Sequence, residues 1–397
     1  MVRRLVLAAA AAALALGLLT PTSAGATVDT EYGWDYQALS INGSYQMLRG
    51  QFAGDAATDI VFYGPGSAPD SLWIGKTGAK GANGFTKVSL SIGGTYVPVL
   101  GDFAGDDYTD ILWYGRGSAP DALWTSVDTA AHFTSKSVKI SGTNYQPKVL
   151  MDFRDQGAKD DVLFLGPGDV ADYLWHFNET LGSSGTPGPG TWESRNLRVN
   201  GSYQLVIGDW NNDLLDDVVL YQPGTAADYK WISSATGAFT QTSLTISGSY
   251  QAVTIRRAQA DAIYFWGSGR TNEVYWTSNG SSFTSRTTAQ YPTLTGVAQS
   301  YGRDGVLIRS DVERDGYVYV TDTSADTYYL SNPNHDFNTA TQAAEGDFNN
   351  DNLFDTFWYG PGTRKDEVWY GVNSGADRAA QAAPQPAPAK TTPVAER

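Results

Sequence analysis

A chain of 397 residues with no cysteine is long enough to bury a core without cross-links, and it excludes disulfides, thiol catalysis and thiolate metal sites. A formal charge of −15 argues against nucleic acid or an anionic membrane surface as partner and is compatible with bound cations. Aromatic residues, at 13%, must supply the packing.

Residues 1–26 read as an export signal. Arg3 and Arg4 give a charged start, residues 5–19 form an apolar run short for a bilayer, and Ala24-Gly25-Ala26 offers a small-x-small cleavage site. The arginine pair fits either twin-Arg export or an ordinary signal. The mature chain then begins near Thr27, and loss of Arg3 and Arg4 takes the charge from −15 to −17. The Ala-rich signal suggests a bacterium and a secreted, extracellular product. No later segment is apolar for long enough to insert stably in a membrane.

Residues 27–372 are repetitive. An unpaired strand pattern at 32–41 comes first, and repeats follow, the clearest at 92–124. A Trp returns at Trp73, Trp124, Trp175, Trp231, Trp276 and Trp369, in steps of 51, 51, 56, 45 and 93. The step of 56 contains the loop GSSGTPGPG after Leu181, and the step of 93 spans two periods. Within it, GVLIR at 305–309 and YVYV at 317–320 mark a degenerate unit. Six anchored units and one weak one, each of about four short strands, predict an all-β chain, a seven-bladed β-propeller of four-stranded blades. The last unit stops soon after Trp369, so 32–41 supplies its missing strand and strand exchange between the chain ends closes the ring, removing exposed edges. Residues 373–397, rich in Ala, Pro and Gln, read as a disordered tail with neither sorting motif nor anchor.

The loop after each unit's first strand carries the chemistry. In GDWNNDLLDD, Asp209, Asn211, Asp213, the carbonyl of Leu215 and Asp217 occupy alternate positions. In GDFNNDNLFD, Asp347, Asn349, Asp351, the carbonyl of Leu353 and Asp355 do the same. Oxygens at such spacing converge on one hard cation, and calcium suits them better than magnesium. Asp and Asn also favour turns through hydrogen bonds to the backbone, yet two distant copies of four acceptors without a Lys or Arg inside the loop fit that reading poorly. The second loop in chain order keeps Asp102, Asp106, the carbonyl of Tyr108 and Asp110 but has Ala104 where an oxygen is wanted.

The remaining loops lose the set. The first has Gln51 and Ala53, with only Asp55 and Asp59 as acids. Arg154 follows Asp152 in the third, where a guanidinium replaces the ion and an extra residue precedes Asp161. The stretch 256–261 is too short, and Asp311, Glu313 and Asp315 read as a solvated hairpin turn.

The Gly-Asp-Phe loop followed by Asp-Ile-Leu-Trp-Tyr resembles FG-GAP repeats, also called VCBS repeats, of the integrin α-subunit propeller type. The resemblance covers roughly residues 32–372. It implies a seven-bladed propeller with calcium in its Asp-rich hairpins, often in secreted or surface proteins that bind other molecules.

The repeated Trp could stack on sugar rings, but equivalent strand positions in every unit favour packing between blades. Tyr45, Tyr96, Tyr145, Tyr203 and Tyr250 each recur beside a Gly turn and are expected to anchor it. His132, His176 and His335 fall at unrelated positions, and no HExxH, GxSxG or phosphate-cradling motif is present. The turns GSAPDSLW and GSAPDALW match sialidase Asp-boxes only loosely. The expectation is therefore a monomeric, non-catalytic adhesion or binding module for extracellular protein or cell-surface glycan. The alternatives are a multivalent propeller lectin, or a secreted glycoside hydrolase or polysaccharide lyase with carboxylates in the central channel.

Overall fold

The computed structural model describes residues 27–29 and 34–372, apart from 117–118, 129–131, 141–143, 151–158, 178–191, 225, 235–236, 258, 268–272, 288–293, 300–304, 311–315, 321–324 and 330–340. The expected signal, the 182–190 insert, Asp152 with Arg154, the 311–315 turn, His335 and the 373–397 tail lie outside the described residues.

Each unit begins with the strand chemistry of its second and fourth segments. Asp59–Tyr63, Asp110–Gly115, Asp161–Leu165, Asp217–Tyr221 and Asp355–Tyr359 are buried at every position, and in the first four, apolar on both faces, a neighbouring sheet covers each face. The fourth strands, such as Phe85–Leu90 and Thr240–Leu244, carry exposed Thr, Ser, Lys and Gln and form the solvated outer edge.

Six four-stranded antiparallel sheets follow one another along the chain. Unit 1 consists of Gln46–Gly50, Asp59–Tyr63, Asp70–Gly75 and Phe85–Leu90, paired in that order. Units 2 to 6 open with Tyr96–Gly101, Gln146–Leu150, Gln204–Gly208, Gln251–Ile255 and Leu294–Gln299 and repeat the order. The degenerate unit is present as unit 6, with Gly305–Ser310 and Gly316–Val320 as its middle strands. The remaining sheet differs from the expected four strands, since it has five, in the order Thr27–Asp29, Trp34–Leu39, Asp366–Gly371, Asp355–Tyr359, Gln342–Gly346. Trp34–Leu39 does pair with the last strand, Tyr36 opposite Trp369, and Thr27–Asp29 then adds an outer strand that the sequence pattern did not reveal.

Successive sheets pack face to face through aromatic side chains. Ile41, Phe62 and Trp73 meet Phe348, Phe357 and Tyr359 between the composite sheet and unit 1. Val61 and Tyr63 meet Ile111 and Trp113 between units 1 and 2, and Leu112 and Tyr114 meet Phe164 and Trp175 between units 2 and 3. Leu163 and Leu165 meet Leu220 and Trp231, and Val219 and Tyr221 meet Ile263 and Phe265, at the next two boundaries. The repeated Trp residues are packing elements. Trp73, Trp175, Trp231 and Trp369 are buried, and Trp124 and Trp276 are partly buried against Phe133 and Phe283.

The Tyr-Gly turns stitch the sheets together. Tyr63 Oη donates to the carbonyl of Gly94 and accepts the backbone N–H of Tyr96, at 3.0 and 2.8 Å, so one hydroxyl bridges units 1 and 2. Tyr221 does the same for Gly248 and Tyr250, and Tyr359 for Gly43 and Tyr45. Gly43, Gly94, Gly201 and Gly248 have φ of 124–132°, and a Cβ there would lie within 2.8 Å of the ring of Tyr45, Tyr96, Tyr203 or Tyr250. Only glycine lets the tyrosine lie flat on the turn.

Candidate metal centre

The loop between the first and second strands folds around its leading aspartate. Asp209 Oδ1 accepts the backbone N–H groups of Asn211, Asn212 and Asp213 at 2.6–3.2 Å, and Oδ2 accepts that of Leu214 at 2.9 Å. Asp213 Oδ1 takes the N–H of Leu215 at 3.0 Å, while Asn211 donates its amide to Asp213 Oδ2 at 2.7 Å. The 347 loop repeats the pattern, with Asp347 accepting from Asp351 and Asn352, Asp351 from Leu353, and Asn349 donating to Asp351. The backbone turns left-handed at Asn212 and Leu214, φ 60° and 72°, and at Asn350 and Asn352, φ 53° and 62°. In the 102 loop Asp102 holds the N–H groups of Gly105, Asp106 and Asp107, and Asp106 that of Tyr108. Ala104 thus removes an oxygen without removing the turn.

The last acid of each loop has a second role. Asp217 accepts from the N–H of Trp210 and of Ser233 at 3.0 and 2.8 Å, and Asp355 from Phe348 and Gly371 at 2.8 and 2.9 Å. Asp110 holds Phe103 and Ser126 in the same way. Asp59 holds Phe52 and Gly75, although its loop has lost the ligand pattern. This acid fastens the loop to the end of the third strand whether or not an ion is bound.

Electrostatics favour a cation. Burial lifts Asp209, Asp347 and Asp102 above the ordinary carboxylate value. Burial, reinforced by Asp213, pushes Asp217 up to about 7. Burial with Asp102 and Asp106 pushes Asp110 up to about 7, and burial with Asp351 and Asp347 pushes Asp355 up to about 8. Among the described residues no Lys or Arg pairs with these acids. Nor, among them, do three His, Cys, Asp or Glu side chains gather into a cage of their own. A site in the 209 or 347 loop would therefore depend on the Asn amide and a backbone carbonyl beside the carboxylates, a hard-oxygen set that suits calcium.

Each loop is fastened to the following sheet by its first residue. Asp209 exchanges backbone bonds with Asp261, its carbonyl accepting from the Asp261 N–H at 2.8 Å and its N–H donating to Asp261 Oδ2 at 3.0 Å. Asp347 does so with Thr58 at 2.7 and 3.0 Å, Asp102 with Asp160 at 2.7 and 2.8 Å, and Gln51 with Thr109 at 2.8 and 2.9 Å. Whatever orders the 209 loop orders the boundary between units 4 and 5, and the 347 loop does the same for the composite sheet and unit 1.

Unit 5 places a guanidinium among the acids at its boundary with unit 4. Arg256 makes a forked contact with Asp216 at 2.6 and 3.1 Å and reaches Asp261 at 2.9 Å. Burial opposes its charge, but the two carboxylates outweigh burial and hold it ionised. Removing one side of such a buried pair costs about 3–5 kcal/mol. For a chain of this size Arg256→Ala is expected to lower the thermal midpoint by about 4–7 °C in calorimetry, with or without calcium.

Sequence reading gave no role to the Asp three residues before five of the six repeated Trp residues, Trp276 having Glu273 there. Asp70 accepts from Gly64 and Ile92, Asp121 from Gly115 and Ile140, Asp172 from Gly166 and Val199, Asp228 from Gln222 and Ile246, and Asp366 from Gly360 and Ile41. Its fixed spacing to the Trp was the available signal. Of the histidines, His176 sits 2.9 Å from both oxygens of Asp161, backing the last acid of the third loop, and His132 lies in a hairpin turn of unit 2.

These sheets and loops define an all-β propeller of four-stranded antiparallel blades. No protein-family model matches the chain, and no curated protein matches it. Among solved structures it is similar to virginiamycin B lyase from Staphylococcus aureus, with a TM-score of 0.50 and 10% identity over 85% of this chain and 100% of that one. It is also similar to a lectin from Agrocybe aegerita described for specific recognition of non-reducing terminal N-acetylglucosamine, with a TM-score of 0.50 and 13% identity over 73% of this chain and 81% of the lectin. At these identities the likeness is one of fold.

Proposed function

We propose that this chain is an exported, monomeric β-propeller of the FG-GAP type that acts as a non-catalytic binding module for an extracellular glycan or protein, with calcium bracing two of its loops. In this reading the composite sheet is the seventh blade and the pairing of Trp34–Leu39 with Asp366–Gly371 closes the ring. One observation carries the proposal: the 209 and 347 loops repeat one fold of alternating oxygen donors, whose carboxylates form no ion pair among the described residues, and each is bonded to the neighbouring sheet. Calcium would be held by Asp209, Asn211, Asp213, Leu215 and Asp217, by Asp347, Asn349, Asp351, Leu353 and Asp355, and more weakly around Asp102, Asp106, Tyr108 and Asp110. It would supply charge balance and rigidity, and the loops would present a fixed surface. The lectin of similar fold supports a glycan ligand.

Calorimetric titration of the chelated protein tests the metal. Two sites with Kd of about 0.1–1 mM are expected, as for weak extracellular calcium modules. Asp351→Ala should remove one of them. Absence of any calcium heat, or two sites surviving in Asp351→Ala, would sink the assignment. Incubation with polysaccharides tests the enzyme alternative, and released reducing ends or unsaturated products would overturn the non-catalytic reading.

A further inference from the structure

We propose that Lys80 and Asp35 are positioning residues for the 347 loop, making it the tighter calcium site and tying its affinity to the N-terminal strand; the inference rests on the calcium reading above. The hairpin after the third strand of units 1 and 5 lies over the oxygen-rich loop of the sheet before it. In unit 5 this is a short turn closed by the Asn279 N–H and the Ser282 carbonyl at 3.1 Å. Among the described residues its one hydrogen bond to the 209 loop runs from Ser278 Oγ to the Trp210 carbonyl. In unit 1 the hairpin is longer, residues 76–84, and clasps the 347 loop twice. The Gly78 N–H donates to the Asn349 carbonyl at 2.7 Å, and the Asn350 amide donates to Thr77 Oγ1 at 3.3 Å. Under this cover Asn349 is 1% exposed, whereas Asn211 is half-buried. Asp351 stays exposed, which leaves an entry for an ion.

The unit 1 hairpin is in turn held by the other end of the chain. Lys80 Nζ donates to Asp35 Oδ2 at 3.1 Å, and Gln37 Nε2 fixes Asp35 Oδ1 at 2.5 Å. Asp35 and Gln37 both lie on Trp34–Leu39, the strand paired with Asp366–Gly371. Lys80 Nζ also stands 5.3 Å from the centroid of the Tyr370 ring. Gly84 brings the end of the hairpin against that ring, where a Cβ would lie 2.7 Å from Tyr370 Oη. Between Gly78 and Gly84, Lys80 leads into the short 3-10 helix Gly81–Asn83, so the ion pair fixes the middle of the hairpin.

A cation site gains affinity when its donors are ordered before the ion arrives, because that entropy is not lost on binding. Asn349 Oδ1 is the second donor of the loop, and it accepts the Asp351 N–H at 3.2 Å. Its backbone is held by Gly78, so a fixed hairpin fixes where that oxygen points. Neither Lys80 nor Asp35 bonds a metal donor, and as an ion pair they add no net charge beside the loop. Their effect is therefore carried by the hairpin and not by attraction of the ion. Couplings between two sites are commonly about 5–150-fold. The low end is expected here, because the Lys80 side chain is 32% exposed and solvent screens its pairing.

The test is calorimetric titration of the full chain with calcium in two single-site backgrounds, Asp213→Ala leaving the 347 loop and Asp351→Ala leaving the 209 loop. The 347 loop should bind about fivefold more tightly than the 209 loop. In the Asp213→Ala background, Lys80→Ala and Asp35→Asn should each weaken calcium by about fivefold, and Lys80→Arg should restore it. In the Asp351→Ala background none of these substitutions should change the affinity. Unchanged affinity of Lys80→Ala and Asp35→Asn in the first background overturns the positioning role and leaves the calcium reading standing. Equal weakening in both backgrounds would mean a general loosening of the fold and overturns it as well. If the unsubstituted protein gives no calcium heat, the calcium reading fails and the positioning role with it.

Discussion

A chain lacking residues 27–41 is expected to lose its cooperative thermal transition and to expose its C-terminal sheet, seen as dye-binding hydrophobic surface and rapid proteolysis of the 342–371 segment. Trp34–Leu39 covers Asp366–Gly371 along six paired positions, with Trp34 and Tyr36 both buried against Trp369 at 6.0 and 5.3 Å. Each buried aromatic is worth about 3–5 kcal/mol against its removal. The same segment supplies the Ile41 N–H to Asp366 and the Asp35 carboxylate to Lys80 of unit 1 at 3.1 Å. Together these losses approach the whole stability of an ordinary domain, about 5–15 kcal/mol. Trp34→Ala alone should lower the midpoint by about 4–7 °C. A truncated chain with an intact, sharp transition would show that the N-terminal strand is dispensable.

Calcium and acid should stabilise the protein in opposite pH ranges. Burial raises Asp59, Asp110 and Asp217 to about 7 and Asp355 to about 8, above the ordinary value of 3.8 that these groups regain on unfolding. Between these limits the folded state binds more protons than the unfolded state, so stability falls as pH rises from about 4 to about 8. The chelated protein is therefore expected to have a higher thermal midpoint at pH 5 than at pH 8. Calcium takes the ionised carboxylates, so its effect runs the other way, large at pH 8 and small at pH 5. At 10 mM calcium and Kd of about 0.1–1 mM, each site adds about 1.4–2.7 kcal/mol, or about 4–8 °C for two sites at pH 8. A calcium increment that does not change with pH would mean that these acids do not hold the ion. A midpoint in EDTA that falls on acidification would show that they are ionised in the folded state.

Much of the architecture was legible in sequence because it is periodic. The Trp spacing, the Tyr-Gly turns and the weak unit at 305–320 all correspond to observed sheets, since a repeated packing surface requires the same residue at the same strand position. The loops were legible as alternating oxygens for the same reason. Their partners were not. Asp217 and Asp355 could be read as ligands from spacing alone, yet the structure also engages them with backbone N–H groups sixteen residues downstream, at Ser233 and Gly371.

What the sequence by itself determined is local and repeated: short strands, turns that need glycine, and loops rich in oxygen donors, all set by interactions within about one repeat of the chain. Only the tertiary structure decided what lies between repeats. The Asp347–Thr58 bonds span 289 residues, Arg256 reaches back 40 residues to Asp216, and Gly43 is bonded to Tyr359 316 residues away. Such features depend on which side chains meet across a sheet boundary, and no periodicity along one chain encodes that meeting.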